Sequence, residues 1–265
     1  MADAAFFQPV ADVLDRLMAE GIATLLAMLG AIFLAAVLRA FTGFGFALGA
    51  LPVLGAVLQP GTAVSVVVLL TLLVSLTTLR GYWGRVPVGP MAPILVLSLL
   101  GTLLGARLLA LIDKASFQLL VGVVVMLSSL LLMRQSVHVA APPRLVGWLA
   151  GLASGVLNGA VAVPGPPVIV YAMARFRDAA DSRAFLMVFF LFSSAAAVIA
   201  FAFGGYLGLE EMLLVVAAYP AMVAGDRLGF FLFWRYGSSL YRRVAVAGLF
   251  LMGAASVAQA VMGAA

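Results

Sequence analysis

Arg39 precedes by three residues a stretch that interrupts an apolar segment, Thr42-Gly43-Phe44-Gly45-Phe46. An arginine within hydrocarbon is rare and faces a cavity or a partner, and its planar fork suits an oxyanion held by two hydrogen bonds. A second interruption runs from Asn158-Gly159 to Pro164-Gly165-Pro166-Pro167. Glycine and proline release backbone polar groups from helical bonding, and at membrane depth such backbone survives only where it is buried or lines a cavity. Prolines suit the first turn of a helix, where a missing N–H is no loss. Each break therefore starts a half-helix near the membrane middle, with unsatisfied N–H donors and about half a positive charge, an arrangement that favours an anion.

Other candidates are few. Ser154, Asn158 and Tyr171, with Ser193 and Ser194, are the polar side chains near the second break and the helix beyond it. Hydroxyl and amide donors suit sulfonate or sulfite oxygens, although serines in membranes also bond their own helix backbone. Asp226 is the one carboxylate well inside an apolar segment and so the candidate for proton coupling. Arg107 and the Asp226-Arg227 pair lie nearer helix ends, where snorkelling or ion pairing is the simpler role. The glycines also admit a purely packing role, as in GxxxG pairs.

The chain that positions these groups has 265 residues, 65% hydrophobic and 9% charged, with a mean hydropathy of +1.22. A soluble domain carries about 25% charged residues, so most of this surface must face lipid. Cysteine is absent and His138 is the single histidine, which excludes disulfides, thiolate chemistry and a histidine metal site. No cofactor or metal is expected. No GxxxxGK[ST] loop occurs, and no catalytic set accompanies the lone histidine, so the chain does not read as an enzyme. The net charge of +5 is spread over several loops, a topological pattern rather than a nucleic-acid stripe. Membrane lipid and a small anionic substrate are the expected partners, and glycine-rich helices also suit a homo-oligomer.

Residues 1–21 do not read as a signal peptide, because Asp3, Asp12, Asp15 and Glu20 interrupt any apolar core. Val10, Val13, Leu14 and Leu17 recur at helical spacing, which predicts an amphipathic interfacial helix. Apolar segments follow at 22–40, 44–58, 62–79, 92–112 and 118–133, then at 145–157, 166–174, 183–203, 212–234 and 241–261. Each half, 22–134 and 145–263, thus has a broken segment followed by three unbroken ones. Thr42-Gly43 answers Asn158-Gly159, and Gly105-Ala106-Arg107 answers Gly225-Asp226-Arg227. Such internal repeats are a signature of secondary transporters.

If each broken segment is a re-entrant hairpin, Arg80, Arg85, Arg134, Arg144, Arg175, Arg177, Arg183, Arg235, Arg242 and Arg243 fall on one side. Only Arg16 and Lys114 fall clearly on the other, with Glu210 and Glu211. The Lys/Arg excess of cytoplasmic loops favours this arrangement over eight single crossings. The second hairpin's arms, 145–157 and 166–174, are about 20 and 14 Å long, too short to cross about 30 Å of hydrocarbon. The expectation is an all-α integral membrane protein of two inverted repeats, each a broken hairpin plus three transmembrane helices, with both termini outside.

Gly43-Phe-Gly-Phe-Ala-Leu-Gly-Ala-Leu-Pro52, Gly159 followed by Pro164-Gly-Pro-Pro167, and the helix carrying Gly101, Gly105 and Arg107 resemble the TauE/SafE sulfite exporter family, also called the toluenesulfonate uptake permeases. The resemblance covers nearly the whole chain. This sequence has bulkier residues than the family's usual denser glycine runs. The resemblance implies multi-pass placement in a bacterial cytoplasmic (inner) membrane and transport, often outward, of sulfite, organosulfonates or related small anions. The expected site comprises Arg39, Thr42, Gly43, Phe44, Gly45, Phe46, Ser154, Asn158, Gly159, Pro164, Gly165, Pro166 and Tyr171. An anion channel, or a transporter of small carboxylates, is the alternative.

Overall fold

A computed structural model describes residues 21–42, 45–85, 88–133, 142–176, 178–236 and 239–263. The expected interfacial helix, Gly43, Phe44 and His138 lie outside the described residues, and of Thr42 only the backbone is described. Ten α-helices are described: α1 (Ile22–Thr42), α2 (Phe46–Val57), α3 (Pro60–Thr78), α4 (Ala92–Leu109), α5 (Lys114–Met133), α6 (Arg144–Val161), α7 (Gly165–Arg175), α8 (Ala179–Phe203), α9 (Leu209–Tyr236) and α10 (Ser239–Gly263). Seven of these segments are long and apolar enough to cross a membrane, and no strand occurs among the described residues.

Both broken segments fold back on themselves. In the first, Gly49 of α2 lies so close to α1 that an added Cβ would sit 3.0 Å from the Ala35 methyl. In the second, the Val168 N–H of α7 donates to the Ser154 hydroxyl of α6 at 3.1 Å. One expectation is corrected here. Helix α6 runs on through Asn158 and Gly159 to Val161, 18 residues in all, which at 1.5 Å per residue is about 27 Å and long enough to span. The reason is packing. Gly159 faces α4, where a Cβ would lie 2.1 Å from the Thr102 carbonyl oxygen, so the glycine serves helix contact and the helix continues through it.

The true breaks use different backbone devices. Gly45 takes φ +97° immediately before α2, a conformation glycine adopts without penalty. The second break places an alanine, Ala162, at φ +50°. Its N–H donates to the Asn158 carbonyl at 2.8 Å, closing α6 as a left-handed cap.

Glycines set the pairing of the long helices. Ile94, Ser98 and Thr102 of α4 meet Gly151, Gly155 and Gly159 of α6 in ascending order, so α4 and α6 are parallel. Phe33 and Val37 of α1 meet Gly225 and Gly229 of α9, again parallel. Gly122 faces Gly253 and Val257 while Met126 faces Gly253, so α5 and α10 run antiparallel. Ser65 near the start of α3 bonds the Tyr206 carbonyl just past α8, so α3 and α8 are antiparallel too. Arg80, Arg144, Arg175, Arg183 and Arg235 therefore gather at one end of the bundle. Ile32, Leu51, Val67, Phe117 and Phe201 pack the core, while Leu99, Leu103 and Leu104 of α4 face outward, as apolar side chains do in lipid.

Candidate functional site

A narrow, partly open cleft lies where the two hairpin tips approach each other. Gly45, Phe46, Ala47 and Leu48 reach it from the start of α2, and Ala162, Val163, Pro164 and Gly165 from the second break. Arg39, Thr71, Ser75, Met187 and Phe190 complete the wall. Five of the residues expected from sequence thus meet at one place: Arg39, Gly45, Phe46, Pro164 and Gly165. The other described candidates lie outside this wall.

Those others are occupied in holding the hairpins. Ser154 caps the Val168 N–H. The Asn158 side-chain amide donates to the Ser193 carbonyl at 2.9 Å and to the Thr102 hydroxyl at 3.4 Å. Tyr171 packs over Gly147 and against Phe185, with ring centroids 5.8 Å apart. Ser194 bonds back to the Phe190 carbonyl of its own helix at 2.7 Å.

The two half-helix ends are unequal as donors. The first three N–H groups of α2, at Phe46, Ala47 and Leu48, have no acceptor within their helix, and all three residues line the cleft. Helix α7 begins Gly165-Pro166-Pro167. Two of its leading residues have no N–H at all, and the next one, Val168, is already bound by Ser154. Only Gly165 is left to offer an N–H from that side. An anion in the cleft would be held mainly by the start of α2 and by Arg39.

Among the described residues, Arg39 is the one charged residue in the wall, and its side chain is 6% exposed. One guanidinium nitrogen donates to Asp226 Oδ1 on α9 at 3.2 Å. The other donates to the Thr78 hydroxyl at 3.2 Å and to the Val74 carbonyl at 3.4 Å. Arg183 of α8 stands close by, donating to the Ala40 carbonyl at 3.3 Å. Among the described residues of this cluster, two guanidinium groups and one carboxylate leave one excess positive charge, which an anion in the cleft would neutralise. Sequence singled out Arg39 and Asp226 separately and gave no sign that residues 187 positions apart are partners.

Thr71 and Ser75 were missed because hydroxyls in an unbroken apolar helix read as self-bonded, and Thr71 does donate to the Val67 carbonyl at 2.7 Å. No group of acidic, histidine or cysteine side chains suited to a metal occurs among the described residues.

A family model described as "Sulfite exporter TauE/SafE" matches residues 28–256 of the chain. No curated protein and no solved structure matches it.

Proposed function

We infer that the chain, which belongs to the sulfite exporter TauE/SafE family, is a secondary transporter that exports small sulfur-containing anions such as sulfite or organosulfonates across a bacterial inner membrane. The observation that carries this reading is the cleft between the hairpin tips. It is walled by Arg39 and the free N-terminal turn of α2 on one side and by Pro164 and Gly165 on the other.

The anionic group would take the Arg39 fork and the N–H groups of Phe46, Ala47 and Leu48, a donor set that suits a sulfonate or sulfite. Apart from the Thr71 and Ser75 hydroxyls, the rest of the wall, with Leu48, Val163, Met187 and Phe190, is apolar and suits a carbon-bearing sulfonate's tail as well as a bare oxyanion. Two antiparallel pairs, α3 with α8 and α5 with α10, place the third and fifth helices of the two halves in opposite directions. That supports the inverted-repeat reading, in which one hairpin or bundle rocks against the other around a fixed site.

The test is counterflow in proteoliposomes. Labelled methanesulfonate or sulfite should enter with saturating kinetics, faster when the vesicles are preloaded with the unlabelled anion. Non-saturating flux with single-channel currents would make the protein a channel. Counterflow of a carboxylate but of no sulfur anion would replace the substrate class.

A further inference from the structure

Arg39 and Asn158 occupy equivalent places in the two halves. Arg39 donates to the Val74 carbonyl of α3 and Asn158 to the Ser193 carbonyl of α8. The two donors and the two acceptors are each 119 residues apart (158 less 39, and 193 less 74). Each donor sits in the last turn of its hairpin's first arm, and each also bonds a side chain on the helix that this arm runs beside. For Asn158 that side chain is Thr102 of α4, and for Arg39 it is Asp226 of α9. The first contact is neutral and enclosed. The second is an ion pair whose arginine also faces the cleft.

We propose that the Arg39–Asp226 pair is a latch released by the transported anion, which takes Arg39 from Asp226, while Asn158 is the permanent anchor of the other half. The idea rests on the assignment of the cleft as the anion site. An oxyanion offers Arg39 the same bidentate partner that a carboxylate does, so it competes for the ion pair, whereas the Asn158 amide is buried outside the cleft wall and out of the anion's reach. Asp226 is not stranded when Arg39 turns away, because Arg183 lies near enough to act on it electrostatically. Freed from Asp226, the tip of α1 loses this ion pair to α9, while Phe33, Ala36, Val37 and Ala40 still pack against Gly225 and Gly229.

The chain has no cysteine, so a single reporter thiol reads the latch directly. Val37→Cys suits this purpose, since Val37 is buried against Gly229 outside the cleft wall. Its modification by a small maleimide in nanodiscs should be slow in the resting protein. Saturating methanesulfonate should raise the rate about tenfold, and D226N should do the same with no anion present. In the charge-exchanged pair R39D/D226R the rate should stay low with or without the anion. A control thiol at Ala150, buried on α6, should stay slow throughout, which separates local opening from unfolding. A slow Val37→Cys in the D226N background overturns the latch. So does fast modification in D226N with no response of the intact pair to methanesulfonate. Calorimetry on the intact protein then separates the two ideas: if methanesulfonate binds, the site assignment stands and the latch alone fails, and if it does not bind, the assignment fails as well.

Discussion

The junctions α4–α6 and α1–α9 are counterparts, each joining a hairpin's first arm to a parallel helix of the opposite half, yet they are built differently. At α4–α6 both helices contribute glycines, and backbone meets backbone: a Cβ on Gly155 would lie 2.1 Å from the Ser98 carbonyl oxygen and one on Gly101 would lie 2.3 Å from that of Leu152. Among the described residues Asn158 supplies a neutral polar tie there. At α1–α9 the glycines belong to α9 alone, and the tie is an ion pair. Close apolar contact has no alternative partner to exchange with, whereas an ion pair beside a cleft does. The first junction is suited to be scaffold and the second to move.

The largest effect should come from filling the scaffold junction. Gly155→Leu drives a side chain into backbone that cannot swing aside and should destabilise by at least about 3 kcal/mol, seen as loss of folded protein in detergent size-exclusion chromatography. Next is Asp226→Ala, which strands the Arg39 charge in the interior and should lower stability by about 3–5 kcal/mol. The double change Arg39→Met/Asp226→Leu should return thermal stability to within about 1 kcal/mol of the parent, because an apolar pair of similar volume replaces a buried ion pair at little loss. Failure of that rescue would mean the pair is needed for folding and would erase the distinction between the junctions. Asn158→Leu should cost about 1–3 kcal/mol by removing the amide's two hydrogen bonds, to the Ser193 carbonyl and the Thr102 hydroxyl, again read from thermal unfolding. The smallest effect is expected at Ala162→Gly, which relieves an L-residue at φ +50° and should raise stability by up to about 1 kcal/mol.

Much of this was legible in the sequence for a simple physical reason. Hydrocarbon leaves the backbone few options, so apolar runs became helices and the glycine–proline interruptions marked where the chain reverses. The exact end of α6 was not legible, because Gly159 as a helix breaker and Gly159 as a contact surface look alike until α4 is in place. Arg39 was visible as an anomaly, but its bond to Asp226 depends on α1 lying against α9, a tertiary fact. Ser75 was overlooked although Ser194, its counterpart by the 119-residue offset that relates Arg39 to Asn158, stood out. The pairs matched in sequence, Thr42 with Asn158 and Gly105 with Gly225, lie 116 and 120 residues apart, and the hydrogen bonds of Arg39 and Asn158 are related by 119.

The central claim is that a small sulfur-containing anion sits between the hairpin tips with its charge on Arg39. Calorimetric titration of methanesulfonate and sulfite into the purified parent and into Arg39→Met/Asp226→Leu tests it most directly. The account predicts saturable binding to the parent and binding weaker by about 1–3 kcal/mol in the double variant, the scale of a charged hydrogen bond. Equal affinity in the two proteins, or no binding to the parent, would contradict it.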